Sequence, residues 1–190
     1  WEVFLNDPYG GIYWGTHGIT PSTGAYSSYL VGTGVYALAT TGGGLYVNGS
    51  LVTAHTTWAN GDVIGLAFDA DAMTLDVYRN GTQLGSSLSV SSGYYRPSYL
   101  LNGTSGDTAT VTYNFGQDSS FSGNHATANA NADGNGHGSF AYAPPSGYLA
   151  LCSQNLPDVD IIDGTEYFDT ALYSGTSSTQ SITSLDFSPD

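Results

Sequence analysis

Twice in this chain an Asn-Gly pair follows a strand-like run, apolar in one case and alternating in the other, and nothing else limits the fold as tightly. Leu45-Tyr46-Val47 leads into Asn48-Gly49 and leaves through Ser50-Leu51-Val52, while Thr74-Leu75-Asp76-Val77-Tyr78-Arg79 leads into Asn80-Gly81. A two-residue hairpin turn whose twist matches its strands needs positive φ at both central positions, which Asn and Gly tolerate. Alternation with a period of two places one set of side chains on a buried face. Each pair therefore predicts a β-hairpin whose register is set by its turn.

Further strands are expected at Trp1-Glu2-Val3-Phe4-Leu5, Ile12-Tyr13-Trp14-Gly15, Val35-Tyr36-Ala37-Leu38 and Asp62 through Asp69, with a turn at Ala70-Asp71-Ala72-Met73. Tyr99-Leu100-Leu101 and Ala109 through Phe115 read the same way, and the stretch from Ile19 to about Thr33 reads as a loop. Composition agrees: Lys, Arg, Glu and Gln are scarce, whereas Val, Thr, Tyr and Phe suit a pleated, half-buried surface. No stretch longer than about ten residues keeps a helical period. The hydrophobic share of 40% is enough for a core. Short strands at this spacing predict an all-β antiparallel sandwich.

Charge narrows the function classes. Arg79 and Arg96 are the only basic side chains besides histidine against 16 acidic ones, a net charge of -14. Such a surface repels phosphate backbones and anionic lipids, so neither nucleic acid nor membrane insertion is expected. Most carboxylates are expected in solvent, where they keep the chain soluble. Cys152 is single, which excludes an intrachain disulfide, and its apolar run Tyr148 through Cys152 suggests a small buried hydrophobe rather than a nucleophile. No signal peptide or membrane-spanning run is visible; Trp1 opens in mid-pattern, so the chain reads as cut at its start.

Character changes after Gly116, where an Asn/Ala/Gly-rich stretch is punctuated by Pro144-Pro145 and Leu156-Pro157. A new alternation begins beyond it at Ile161-Ile162, Tyr167-Phe168, Ala171-Leu172-Tyr173 and Ser181-Ile182-Thr183. The expected layout is a sandwich over residues 1–122, a linker and packing segment over 123–157, and the first strands of a truncated second β domain over 158–190.

Several of these segments stand in the order found in SPRY domains: Trp1-Glu2-Val3, Gly11-Ile12-Tyr13-Trp14-Gly15, Gly61-Asp62-Val63-Ile64-Gly65, Phe68-Asp69, Thr74 through Gly81, and Val111 through Gly116. Residues 1–122 resemble that family, most specifically from Gly61 to Gly81. Pro144 through Pro157 resembles a segment that follows SPRY domains in tailed-phage virion proteins. Asp163 through Thr170 and Ser181 through Asp190 resemble the β domain found next in them. The resemblance implies a non-catalytic structural protein of the virion, in a fibre or appendage, with other virion proteins or a host-surface glycan or protein as partners. A homo-oligomer, trimeric in a fibre, goes with that role. The alternative from another class is a lectin-like carbohydrate-binding module of a secreted or cell-surface protein.

Catalytic constellations are absent from the sequence. Asp69, Asp71 and Asp76 lie close together but flank a hairpin turn, where Asp commonly serves the turn. His17, His55, His125 and His137 show no metal-binding spacing, and no Gly-x-Ser-x-Gly elbow occurs. Asn129, Asn131, Asp133 and Gly134 imitate a calcium-loop start, yet Phe140 stands where a bidentate Glu should close it. That leaves a looser oxygen cage or a plain turn. Asn48, Asn80 and Asn102 head glycosylation-like triplets that turn chemistry explains equally well. No enzyme activity, cofactor or metal is therefore expected.

The surplus is aromatic. Tyr26 and Tyr29 sit in a Gly/Ser-rich loop, and Tyr94-Tyr95-Arg96 sits in another turn-flanked stretch. Tyr among Ser and Gly offers contact area at low entropic cost, so these five residues are the expected ligand-binding set. The plainer possibility is that they cover the sandwich ends. Trp1, Trp14 and Trp58 are expected in the core or at its rim.

Overall fold

Strand pairing in the computed structural model follows the turns. The structure describes residues 1–6, 16–22, 34–39, 43–56, 58–100, 110–126, 129–157 and 168–181. Within them run β1 (Glu2–Asn6), β2 (Thr16–Pro21), β3 (Tyr36–Ala39), β4 (Gly44–Val47), β5 (Ser50–Ala54) and β6 (Val63–Asp69). They continue as β7 (Thr74–Arg79), β8 (Thr82–Gln83), β9 (Leu88–Ser89), β10 (Tyr95–Leu100) and β11 (Thr110–Asn114). The β4–β5 turn has φ of 52° at Asn48 and 81° at Gly49; the β7–β8 turn has 49° at Asn80 and 78° at Gly81. Both Asn-Gly pairs thus take the left-handed geometry that their sequence predicts.

Two antiparallel sheets result. One has the order β11-β1-β6-β7-β8, with β9 also paired to β7; the other runs β10-β2-β3-β4-β5. The protein is all-β, as expected, and its described residues hold no α-helix, only a short 3-10 turn at Ser153–Asn155. Alternation decides which side chains fill the space between the sheets. Val3 and Leu5 of β1, Ile64 and Leu66 of β6, and Leu75 and Val77 of β7 meet Ile19, Tyr36, Leu38 and Leu45 from the opposite sheet. Full burial of each such side chain stabilises by about 1.5–3 kcal/mol.

Two local expectations change. The loop expected from Ile19 is strand as far as Pro21, because β2 is held on both sides, by β3 and β10. Propensity undervalued this segment; tertiary pairing overrides it. Gly18 is needed there: a Cβ would land on the Tyr36 carbonyl oxygen. Tyr95 and Arg96, expected in a loop, open β10 opposite Pro21 and Thr20. The strand expected at Ile12-Tyr13-Trp14-Gly15 lies outside the described residues.

The first sheet is covered on its outer face as well. Phe4 and Val63 point away from the inter-sheet core and pack with Phe121 and Ala141. Phe4 and Phe121 stack at 5.3 Å. Two hydrogen bonds to Glu2 fasten this cover, and a third, from β11, steadies the carboxylate. The buried Glu2 carboxylate accepts from the Ala141 N–H at 2.9 Å, the Tyr142 N–H at 2.9 Å and the Asn114 side-chain amide at 3.0 Å. Residues Trp1–Asn155 accordingly form one compact unit and Leu156–Asp190 another. In the second unit, residues 168–181 carry no strand, and Phe168, Leu172 and Tyr173 are exposed. The rest of the alternation expected there lies outside the described residues.

Candidate functional site

The expected tyrosine set divides by environment. Tyr94 is 87% exposed. Its carbonyl accepts the Ser22 N–H at 2.7 Å, so the chain enters the stretch carrying Tyr26 and Tyr29 from a point beside Tyr94. Tyr26 and Tyr29 themselves lie outside the described residues. Tyr95 is half-buried: its ring meets Tyr36 at 6.0 Å and Phe68 at 5.7 Å edge-on, and its hydroxyl donates to the Ser91 carbonyl at 2.9 Å. It is chiefly a packing residue that holds Tyr94 at the sheet end. Arg96 is exposed on β10, in register with Thr20.

Two acids of the β6–β7 hairpin, Asp69 and Asp76, take turn and packing roles. Asp69 Oδ1 accepts the N–H groups of Asp71 and Ala72 at 2.9 and 2.8 Å, a turn role. Asp76 is buried rather than solvated: it accepts from Gln83 at 3.0 Å and from the Tyr148 hydroxyl at 3.0 Å. Burial, then the hydrogen bond to Asp76, raises the Tyr148 pKa.

Asp133 of the calcium-like stretch is held by its own loop. Its Oδ1 accepts the N–H groups of Asn135 and His137, each at 2.9 Å. Its Oδ2 accepts the Ala150 N–H at 2.8 Å and the Asn155 amide at 2.7 Å. Burial alone would raise its pKa, but these four donors outweigh it and hold the carboxyl at about 2. Both oxygens are spent on pinning one loop, and among the described residues no group of three His, Cys, Asp or Glu side chains is placed to hold a metal ion. Asn131 likewise spends its amide on the carbonyls of Asn129, Phe140 and Ala141. Cys152, expected to be buried, is half-exposed; Ala150 fills the buried place in that run.

Between the sheets His17 is fully buried, stacked on Tyr99 at 5.0 Å, with Nδ1 3.1 Å from the Tyr113 hydroxyl. Burial lowers its pKa to about 3 and pushes the Tyr113 hydroxyl up. His17 is thus a neutral core residue.

A cleft of about 490 Å³ opens beside Ala54, His55, Thr56, Trp58, Arg79 and Leu84. Strand registers put it at the far end of the second sheet from Tyr94: Ala54 ends β5 opposite Gly44, whereas Tyr95 starts β10 opposite Pro21. Arg79 lies 5.0 Å above the Trp58 ring. The guanidinium donates to Asp62 at 2.6 Å and to the Thr56 hydroxyl at 2.9 Å, while Asp62 also accepts from the Ala59 N–H and the Asn80 amide, each at 2.7 Å. Sequence reasoning read Trp58 as core and missed its neighbours. The available signal was Arg79, one of two such cations, standing at a strand end beside an Asn-Gly turn. No family model matches this chain and no curated protein matches it.

Proposed function

We propose that this protein is a non-catalytic virion component of a tailed phage, part of a fibre or appendage, whose SPRY-like sandwich recognises a host-surface glycan or protein. One observation carries the recognition role. The Ser22–Tyr94 hydrogen bond sets the end of β2 beside the exposed Tyr94, and in sequence Ser22 leads directly towards Tyr26 and Tyr29. An exposed aromatic side chain such as Tyr94 at a rigid strand end offers a low-entropy contact surface. The acids flanking the hairpin are engaged in turn and packing hydrogen bonds, which favours binding over hydrolysis. The virion assignment rests on the SPRY and virion-protein likenesses in sequence.

Labelled full-length protein mixed with host cells tests the reading. Saturable binding is expected, with Tyr94→Ser weakening it about tenfold, the scale of one aromatic anchor. Absence of both cell binding and incorporation into particles overturns it.

A further inference from the structure

Two residues that line the cleft beneath Arg79 carry buried polar atoms with unmet needs. Trp58 is 3% exposed, and among the described residues neither its Nε1–H nor the Nε2 of His55 has a hydrogen-bond partner. Buried polar atoms are nearly always paired, and leaving one unpaired costs about 1–3 kcal/mol. Both residues border one cleft.

We propose that this cleft binds a neutral sugar residue, as a second site separate from the tyrosine end. The lining sets the chemistry. Trp58 Nε1 only donates, His55 Nε2 donates or accepts according to tautomer, and the Thr56 hydroxyl does both. Arg79 spends both Nη1 hydrogens on Thr56 and one Nη2 hydrogen on Asp62, which leaves Nε–H and one Nη2–H without an acceptor among the described residues. A ligand matching this mixture needs several oxygens that accept and donate, as ring hydroxyls do. Ala54 and Leu84 add apolar wall for a C–H face. The volume falls within the range of small-ligand sites.

Neutrality follows from charge. The Arg79 cation is already matched by Asp62 at 2.6 Å, so the cleft offers an anion no net attraction. The surrounding charge of -14 opposes an anion further.

The test uses the full chain labelled with 15N, whose Trp1, Trp14 and Trp58 indoles report separately; Trp58→Phe identifies the Trp58 peak. Glucose, galactose and N-acetylglucosamine are titrated one at a time, with sodium acetate and sodium sulfate as anion probes. At least one sugar is expected to shift the Trp58 indole saturably, with a dissociation constant on the order of 1 mM. His55→Phe, checked for an otherwise retained spectrum, is expected to weaken that binding about tenfold, while Tyr94→Ser leaves it unchanged. The proposal is overturned if no sugar gives a saturable shift, if only the anions do, or if a folded His55→Phe protein binds as before. Cell binding can fail while this titration succeeds, and the reverse, so the two readings are judged apart.

Discussion

Lowering the pH from 7 to 4.5 should destabilise the sandwich through His17, alongside the buried Trp1 amine, whose pKa burial also lowers and whose share is common to wild type and a His17 variant. Its imidazole sits between the sheets and stays neutral down to about pH 3, against an unfolded value of 6.5. Between those values the unfolded chain binds a proton that the folded chain refuses. The stability linked to His17 is therefore complete above pH 6.5 and is lost progressively as pH falls towards 3. At pH 4.5 the gap to 6.5 is two pH units, so the loss is about 2.7 kcal/mol. A typical domain has only about 5–15 kcal/mol in hand. Asp133 works in the same direction, but its stabilisation is present above its unfolded value of 3.8 and fades as pH falls through about 2, so it contributes little at pH 4.5. The control is His17→Phe, which retains a ring against Tyr99 and removes the titrating group. It loses the Tyr113 contact at both pH values, an offset of about 1–3 kcal/mol that cancels in the comparison. Urea unfolding at the two pH values measures the effect. The wild type should lose about 2.7 kcal/mol more than the variant between them. Equal losses would refute a buried, neutral His17.

Three further outcomes follow from the packing. Glu2→Ala strands three donors under the outer cover and should lower stability by about 3 kcal/mol or more, seen as a fall in the thermal midpoint. A fragment of residues 1–122 should aggregate or remain unfolded where 1–157 folds, because the shorter piece lacks the Ala141 cover over Phe4 and Val63 and the Glu2 clamp; circular dichroism and gel filtration distinguish them. EDTA should leave the thermal midpoint unchanged, since Asp133 is already saturated with protein donors, while Asp133→Ala should cost about 3 kcal/mol.

Much of the fold is local and was legible in the chain. Asn48-Gly49 and Asn80-Gly81 specify their turns, and the alternation around them specifies which side chains face the core. β2 was partly hidden because Gly18 and Pro21 are poor strand formers alone; the Tyr36 backbone beside Gly18 makes the small residue necessary. The candidate sites were less legible still. Tyr94 and Arg79 could be marked by type, but no pattern in the chain says that Ser22 would meet Tyr94 or that His55 would border a cleft with Trp58.

Sequence by itself determined the all-β class, the two Asn-Gly hairpin turns and the acidic surface, because turn geometry, period-two burial and charge depend on neighbouring residues or on composition. Tertiary structure alone decided that Phe121 and Ala141 cover the outer face of one sheet, that Glu2 and Asp133 are fastening points rather than solvated acids, and where the cleft lies. Those outcomes join residues up to 140 positions apart. Such contacts arise when two finished surfaces meet, and the separate stretches of chain that build them carry no local periodicity to announce the meeting.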